Sequence, residues 1–515
     1  PNLTPNLVKA MLQYTAEANT TSKTRTATIK VNDQYYTLTQ AGMPCTYTVA
    51  PTSTTLVPLG GAYTVNVTTA VSDCAWTSTS NADWISITSG ASGVGNGKVV
   101  IYASGNTGTK SRSGSISVGG KAFTVNQTAQ GGTSSPFTRY LAEGATSSFF
   151  STRIALLNPG TAAANVNMRF QKTTGQVVDY TTTVKAQSRA TVDPRQVIGN
   201  AEFSTEVSSA TQVIVDRTLT WDASGYGSHS ETGVQFPSQT WYLAEGSTNG
   251  MFDLFYLIQN PNPEVAKIQV TFLLPGGTPP VVKTYDVPAN TRYTIWVDMI
   301  PGLEKADLSG VIKSDRPVMV ERALYLSRNG VFFLGGHESA GVTAPDTEWF
   351  LAEGATGPYF DTYVLIANPN ATEAQVSALY MLPDGSTIEK FYTVDPQSRF
   401  SIWVDQEDPA LADTSVATIV RSLNSVPIIT ERAMWWPGNW TTWTEAHNSP
   451  GATETGTKWA IAEGEIGGTG NAQTYILVAN TGGTAGQAKV TLMFETGSPV
   501  SKTIDLPPYS RSSVD

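Results

Sequence analysis

Histidine is the side chain best suited to moving protons near neutral pH, and this chain holds three: His229, His337 and His447. They are spaced by 108 and 110 residues, and each stands one or two residues before a serine, Ser230, Ser339 or Ser449. Other polar residues recur with them. A glutamate lies upstream (Glu143, Glu245, Glu353), and an arginine follows Ser or Thr (Arg189, Arg292, Arg399) on the way to an aspartate (Asp193, Asp298, Asp405). A second arginine follows an acid in Asp216-Arg217, Glu321-Arg322 and Glu431-Arg432. A glutamate, an aspartate and a histidine such as Glu353, Asp405 and His447 could form an acid–base cluster. The same types could instead pin a fold, with the glutamate held by an arginine across two strands and the histidine bonded to a loop backbone. Arrays copy what is structural, and a catalytic site in every unit would be unusual. We therefore expect no catalytic residue and a structural polar network. One histidine and a few carboxylates per unit fall short of a zinc ligand set, and no D-x-D-x-D run offers a calcium loop. No metal or cofactor is expected.

These residues are carried by a repeat. Tyr140 to Gly144, Trp241 to Gly246, Trp349 to Gly354 and Trp459 to Gly464 are versions of one aromatic-Leu-Ala-Glu-Gly stretch. Their glutamates (Glu143, Glu245, Glu353, Glu463) are 102, 108 and 110 residues apart. A period of that length means tandem domains. Each copy continues into an alternating strand ending at Asn158, Asn260, Asn368 or Asn480. Hairpin turns such as Pro275-Gly276-Gly277 and Pro383-Asp384-Gly385 follow. Short alternating strands with turn signals every 8–12 residues predict immunoglobulin-like sandwiches. The expected units are 138–237, 238–346, 347–456 and an incomplete 457–515, the last ending before its Glu-Arg and histidine strands. Tight joins between them predict a semi-rigid rod.

Composition excludes several classes. With 40% hydrophobic residues the chain can bury cores, so it is not disordered. A net charge of -10 without a basic cluster argues against nucleic acid, and no apolar run is long enough to cross a bilayer. No phosphate loop, dinucleotide fingerprint, zincin helix or lipase elbow is present. Two cysteines, Cys45 and Cys74, are too few for a zinc site, so a disulfide and an oxidising, extracellular compartment are expected. Pro1 is not a native start, and Asp515 falls inside a repeat, so the chain reads as a piece of something longer.

Residues 1–18 carry a helix signal, with Thr4 as N-cap before Pro5 and an apolar face of Leu7, Val8, Met11 and Leu12. The string from Pro1 to Ala16 resembles the helix that closes subtilisin-like peptidase domains, without any of their triad. From Thr26 a strand pair turns at Asn32-Asp33, and the same pair returns 87 residues later, from Ser113 to Gln127. In front of the second copy stand Cys74-Ala75-Trp76, Asn81 to Ile85 and Gly95-Asn96-Gly97. On these residues 44–130 resemble a BACON domain, a small β-sandwich of secreted bacterial proteins, and 19–43 resemble its last two strands alone. The resemblance implies core roles for Trp76 and Trp84 and a loose association with glycans. Residues 131–137 read as a linker. Its Gly132-Thr133-Ser134 has no helix signal after it and is not a peptidase nucleophile.

Ten of the twelve tryptophans lie in the array, four of them within nine residues: Trp435, Trp436, Trp440 and Trp443. Adjacent strand residues face opposite ways, so Trp435 or Trp436 turns from the core. This cluster is a candidate protein interface, an inter-domain packing site or a platform for sugar rings. The fold class expected is therefore all-β, tandem immunoglobulin-like sandwiches in a rod with one short N-terminal helix. The leading function is an extracellular fibre subunit that self-associates by completing its unfinished end modules. The alternatives are a carbohydrate-binding surface module and the non-catalytic tail of a secreted subtilisin-like peptidase.

Overall fold

The computed structural model describes residues 11–56, 61–104, 106, 111–127, 137–222, 227–438, 441–467 and 473–515. Its regular secondary structure is nearly all strand, and two compact units divide the chain at Pro136 and Phe137. Most of the predicted linker, 128–136, lies outside the described residues.

The N-terminal unit holds a two-sheet sandwich and a separate hairpin. One sheet runs Ser53–Leu56, Lys121–Gln127, Arg112–Val118, Ala75–Ser80, Ser92–Val94; the other runs Tyr47–Ala50, Gly61–Thr69, Gly97–Ala103, Ile85–Ser89. Val65, Val99, Ile101, Ile116, Val118 and Phe123 face each other across the sandwich and are fully buried. Trp76 belongs to this core and donates its indole N–H to Gly95 O at 2.8 Å, while Trp84 is half-buried under the Arg112 guanidinium. Cys45 and Cys74 form a disulfide.

The separate hairpin, Arg25–Val31 with Gln34–Gln40, repeats the register of Arg112–Val118 with Lys121–Gln127 residue for residue at an offset of 87. Even the side-chain ties match: Arg25 donates to Gln40 Oε1 at 2.9 Å and Arg112 to Gln127 Oε1 at 2.7 Å. The environment differs. Phe123 and Val118 are buried, whereas their counterparts Tyr36 and Val31 are 62% and 46% exposed. The predicted helix is corrected in part. Residues 1–10 lie outside the described ones, and from Met11 to Ala18 no helix forms. Its apolar side chains find no partner there, Met11 being 89% exposed, and a short helix without a packed face is marginal in water. Among the described residues the α-helix is the single turn Arg195–Ile198.

The second unit contains the array, and its first and third repeats share one topology. In the first repeat one sheet runs Phe137–Leu141, Ala201–Ser209, Ala164–Lys172, Val177–Val184, and the other runs Ser188–Val192, Phe150–Asn158, Ile214–Trp221, Gly227–Thr232. The third repeats this order with Glu348–Leu351, Ala417–Ser422, Ala374–Met381, Thr387–Val394 and Ser398–Trp403, Asp361–Asn368, Ile429–Trp436, Glu445–Pro450. In the second repeat the central strands merge into one, Ser309–Arg328, that serves both sheets. The strand-ending asparagines tie the loops together. Asn158 donates to Ala162 O, Val184 O and Lys185 O at 2.8–3.1 Å, and Asn260, Asn368 and Asn480 repeat this pattern.

A row of units would have each touch only its neighbours, and the structure adds a further contact. Ala155, Leu157 and Ile214 of the first repeat pack with Ala462 and Met493 of the fourth. Arg189 N–H of the first donates to Phe494 O of the fourth at 3.3 Å. Phe150, Tyr325 and Phe333 join the first repeat to the second, Phe252 and Trp435 the second to the third, and Met381 and Ala479 the third to the fourth. The linear placement of the repeats is thus corrected to an array that closes on itself. Apolar side chains on both outer edges make that closure favourable.

Candidate functional site

The repeated polar residues sit at the joins between repeats. At the first join the loop after Leu141 leaves two backbone N–H groups without strand partners. Both point at one carboxylate of the second repeat: Ala142 N–H donates to Glu321 Oε1 at 2.9 Å and Glu143 N–H to Oε2 at 2.7 Å. Arg217, fully buried, bridges Glu321 at 2.7 Å, Glu338 at 2.6 Å and Glu143 at 3.4 Å, and its Nη1 also donates to Glu143 O. His229 Nε2 lies 3.4 Å from Glu143 and 3.3 Å from the Tyr325 hydroxyl.

The second join has the same construction one repeat later. Ala244 N–H donates to Glu431 Oε1 at 2.7 Å, Arg322 reaches Glu431 at 2.6 Å and Glu245 at 3.4 Å, and His337 Nε2 stands 3.0 Å from Glu245. Asn448 takes the place of Glu338 and donates to Glu245 at 2.8 Å. At the closing join Asp216 of the first repeat accepts from Ala462 N–H at 2.5 Å and Glu463 N–H at 2.7 Å. An acid of one repeat thus clasps the Ala-Glu loop of the repeat before it. A carboxylate that accepts two N–H groups and an arginine together repays much of its desolvation.

These contacts run within repeats as well as between them. Inside its own repeat Glu143 meets Arg217 and His229, Glu245 meets Arg322 and His337, and Glu353 meets Arg432 and His447. The Ser/Thr-linked arginines do not hold their own repeat's glutamate. Arg189 pairs with Glu463 of the fourth repeat, Arg292 with Glu202 of the first, and Arg399 donates to Gly246 O of the second. The histidines bond to side chains rather than to loop backbone. The acids Asp216, Glu321 and Glu431, which make the clasps, were visible in the sequence only as the residues preceding each second arginine. Glu338 and Asn448 had no such mark beyond following a histidine.

Electrostatically the first join is crowded. Burial pushes the Glu338 carboxyl well above its ordinary value; Arg217 opposes this, and Glu321, Glu231 and Glu143 add to it. For Arg217, burial lowers the pKa, but Glu338, Glu321 and Glu143 outweigh it and the guanidinium stays charged. Burial, then Arg217, hold His229 well below its usual range, so it is neutral. Glu143, His229 and Glu338 are close enough together to suggest a metal site. The Arg217 guanidinium already bridges both carboxylates, which leaves a cation no place among them.

Glu445, in the closing strand of the third repeat, is pushed up to about 8 by burial and then by Asp222. A raised carboxyl stabilises the fold fully below its unfolded value and loses that contribution as pH rises through the folded one. Stability should therefore fall between about pH 5 and 8, by roughly 1–3 kcal/mol from this group. Thermal melts across that range should show Glu445→Gln reducing the slope by this group's share, the raised carboxyls of Glu231, Glu338 and Asp405 carrying the rest.

The tryptophan cluster is divided. Trp435 is 3% and Trp443 6% exposed; they stack at 5.2 Å, and Trp435 also meets Phe252 and His337 of the second repeat. Trp443 donates to Asp361 at 2.6 Å. Trp436 is half-buried on Phe360, and Trp440 lies outside the described residues. Packing has claimed the two buried rings, Trp435 against the second repeat and Trp443 within the third, so neither presents a face to a sugar.

Residues 75–128 match the BACON family, described as a putative binding domain, N-terminal. No curated protein matches the chain. Among solved structures, Thermotoga maritima 1070 is 20% identical with a TM-score of 0.19, covering 21% of this chain and 96% of that one. A Bacteroides ovatus GH5 xyloglucanase in complex with a XXXG heptasaccharide is 18% identical at 0.15, covering 16% and 19%. A tetra-tandem repeat from the extending region of a large adhesion protein is 12% identical at 0.08, covering 77% and 98%. Scores this low carry no argument about this chain. Among the described residues no helix is long and apolar enough to cross a membrane, which says nothing of β-barrels.

Proposed function

We propose that this chain is a non-catalytic, extracellular scaffold that carries a BACON-type binding module and a closed set of sandwiches in one polypeptide. The observation that carries the reading is the use made of the repeated Glu, Arg and His sets. Those of the first two repeats are held in ion pairs and backbone clasps that reach the next repeat, an arrangement suited to fixing one sandwich against the next. The Cys45–Cys74 disulfide and the family of residues 75–128 support a secreted or surface location. Hydrolysis of peptide or glycan substrates by the purified chain would overturn it.

Self-association is the finer form of this proposal. What supports it is the hairpin Arg25–Val31/Gln34–Gln40, whose Val31 and Tyr36 are exposed where the same positions of its copy are core. Negative-stain electron microscopy at two concentrations is the test. Filaments are expected at the higher one and should vanish on deletion of residues 1–42; dispersed particles at both would leave only the scaffold.

A further inference from the structure

The first two joins share a plan but not a charge balance. At the second, Glu245 and Glu431 are the buried acids, Arg322 spans both, and Arg399 donates to Gly246 O of the same loop. Asn448, a neutral donor, completes that set. At the first, Glu143, Glu321 and Glu338 crowd one guanidinium, that of Arg217, and all four side chains are 5% exposed or less. His229 is held neutral there and cancels no charge. Three carboxylates around one arginine leave excess negative charge in a dry interior, and binding a proton relieves it.

The hydrogen bonds single out which carboxylate takes that proton. Glu321 accepts two backbone N–H groups and Arg217 Nη1 at 2.7–2.9 Å. Glu143 accepts from the Tyr325 hydroxyl at 3.3 Å and lies beside His229. Glu338 has the Arg217 Nη2 contact alone, and its buried Oε1 has no hydrogen-bond partner among the described residues. The charged and titratable groups around Glu338 come from every element packed on it. Arg217 stands on Ile214–Trp221, Glu143 in the loop after Phe137–Leu141, His229 and Glu231 on Gly227–Thr232, and Glu321 on the partner strand Ser309–Arg328. Arg322 of that strand and His337 beside Glu338 are taken up by Glu245, and Glu231 accepts Ala340 N–H at 3.0 Å. The strand Glu445–Pro450 also packs here and brings Glu445 and His447, the latter committed to Glu353 and Arg432.

We propose that the join between the first and second repeats is a proton latch, shut while the Glu338 carboxyl carries a proton and loosened when that proton leaves. Once ionised, Glu338 repels Glu143 and Glu321, and Glu321 is the acid that clasps the Ala142-Glu143 loop. Burial holds the Glu338 carboxyl above its ordinary range. A group raised in this way stabilises fully below its unfolded value and loses that contribution as pH rises through the folded one, so the latch opens on the alkaline side. The chain carries its own control, because Asn448 fills the same place at the second join and never ionises. The latch goes beyond the scaffold reading and stands if that reading fails.

Hydrogen exchange of the full chain, read by mass spectrometry at about pH 6 and about pH 9 and corrected for intrinsic rates, tests this. Protection of residues 140–146 should fall roughly 10-fold or more between the two, while that of 242–248 changes by no more than about 2-fold. Glu338→Asn, which copies the second join, should keep 140–146 protected at both pH values. Glu338→Gln, the isostere of the protonated acid, should do the same and serves if the asparagine variant folds poorly. The infrared band of protonated carboxyls at about pH 6 should be weaker in either variant than in the unaltered chain. An equal loss of protection at both loops would overturn the latch as a property of the first join. Loss that persists in both variants, or that Glu231→Gln abolishes in their place, would overturn Glu338 as its proton carrier. An unchanged infrared band would do so as well.

Discussion

Arg217→Met should unfold the join between the first two repeats, lowering stability by about 3–5 kcal/mol. The guanidinium is fully buried and bridges Glu143, Glu321 and Glu338, all of them buried. Methionine fills much of its volume and leaves those carboxylates facing each other in a dry interior. Protons can relieve part of the repulsion, so the loss should be largest at high pH and smaller near pH 5. Differential scanning calorimetry of the two proteins at both pH values checks this. An unchanged melting temperature at pH 8 would mean the cluster is hydrated, and the clasp a minor contributor.

Trp435→Ala should cost a similar amount, about 3–5 kcal/mol, through a cavity rather than through charge. The ring packs on Trp443 of its own hairpin and on Phe252 and His337 of the second repeat. Its loss removes the wall shared by two sandwiches, so the second and third repeats should melt earlier together. Trp436→Ala, at a half-buried ring touching Phe360, should cost well under half as much. Equal effects of the two changes would argue that Trp435 is accessible after all.

What was legible in the sequence follows from the range of the forces involved. Strand alternation and turn chemistry are local, so the sandwiches and the hairpin duplicated at an offset of 87 could be read from periodicity, while the buried Trp76 followed from the resemblance of its module. The polar residues could be grouped, because their types recur at the repeat spacing. Their partners could not, because a period says which residues are equivalent and nothing about which copy each one touches. Arg189 illustrates this: its partner Glu463 is 274 positions away and belongs to the last repeat rather than its own. Over its described part, 11–18, the helix signal failed for a related reason. An apolar stripe specifies a helix only where something covers it, and Met11 and Leu12 are exposed.

Contact between the first and fourth repeats has a consequence for how such a gene can change. Open tandem arrays lengthen and shorten by recombination at small cost, since an added unit brings one new neighbour surface and a lost unit removes one. Here each repeat meets a partner on both sides, and Asp216 must find the Ala462-Glu463 loop across the closure. Losing the partner loop would leave the Asp216 carboxylate without its two N–H donors and expose Ala155, Leu157 and Ile214. The repeats that meet in this way are therefore free to diverge mainly on faces turned away from their neighbours.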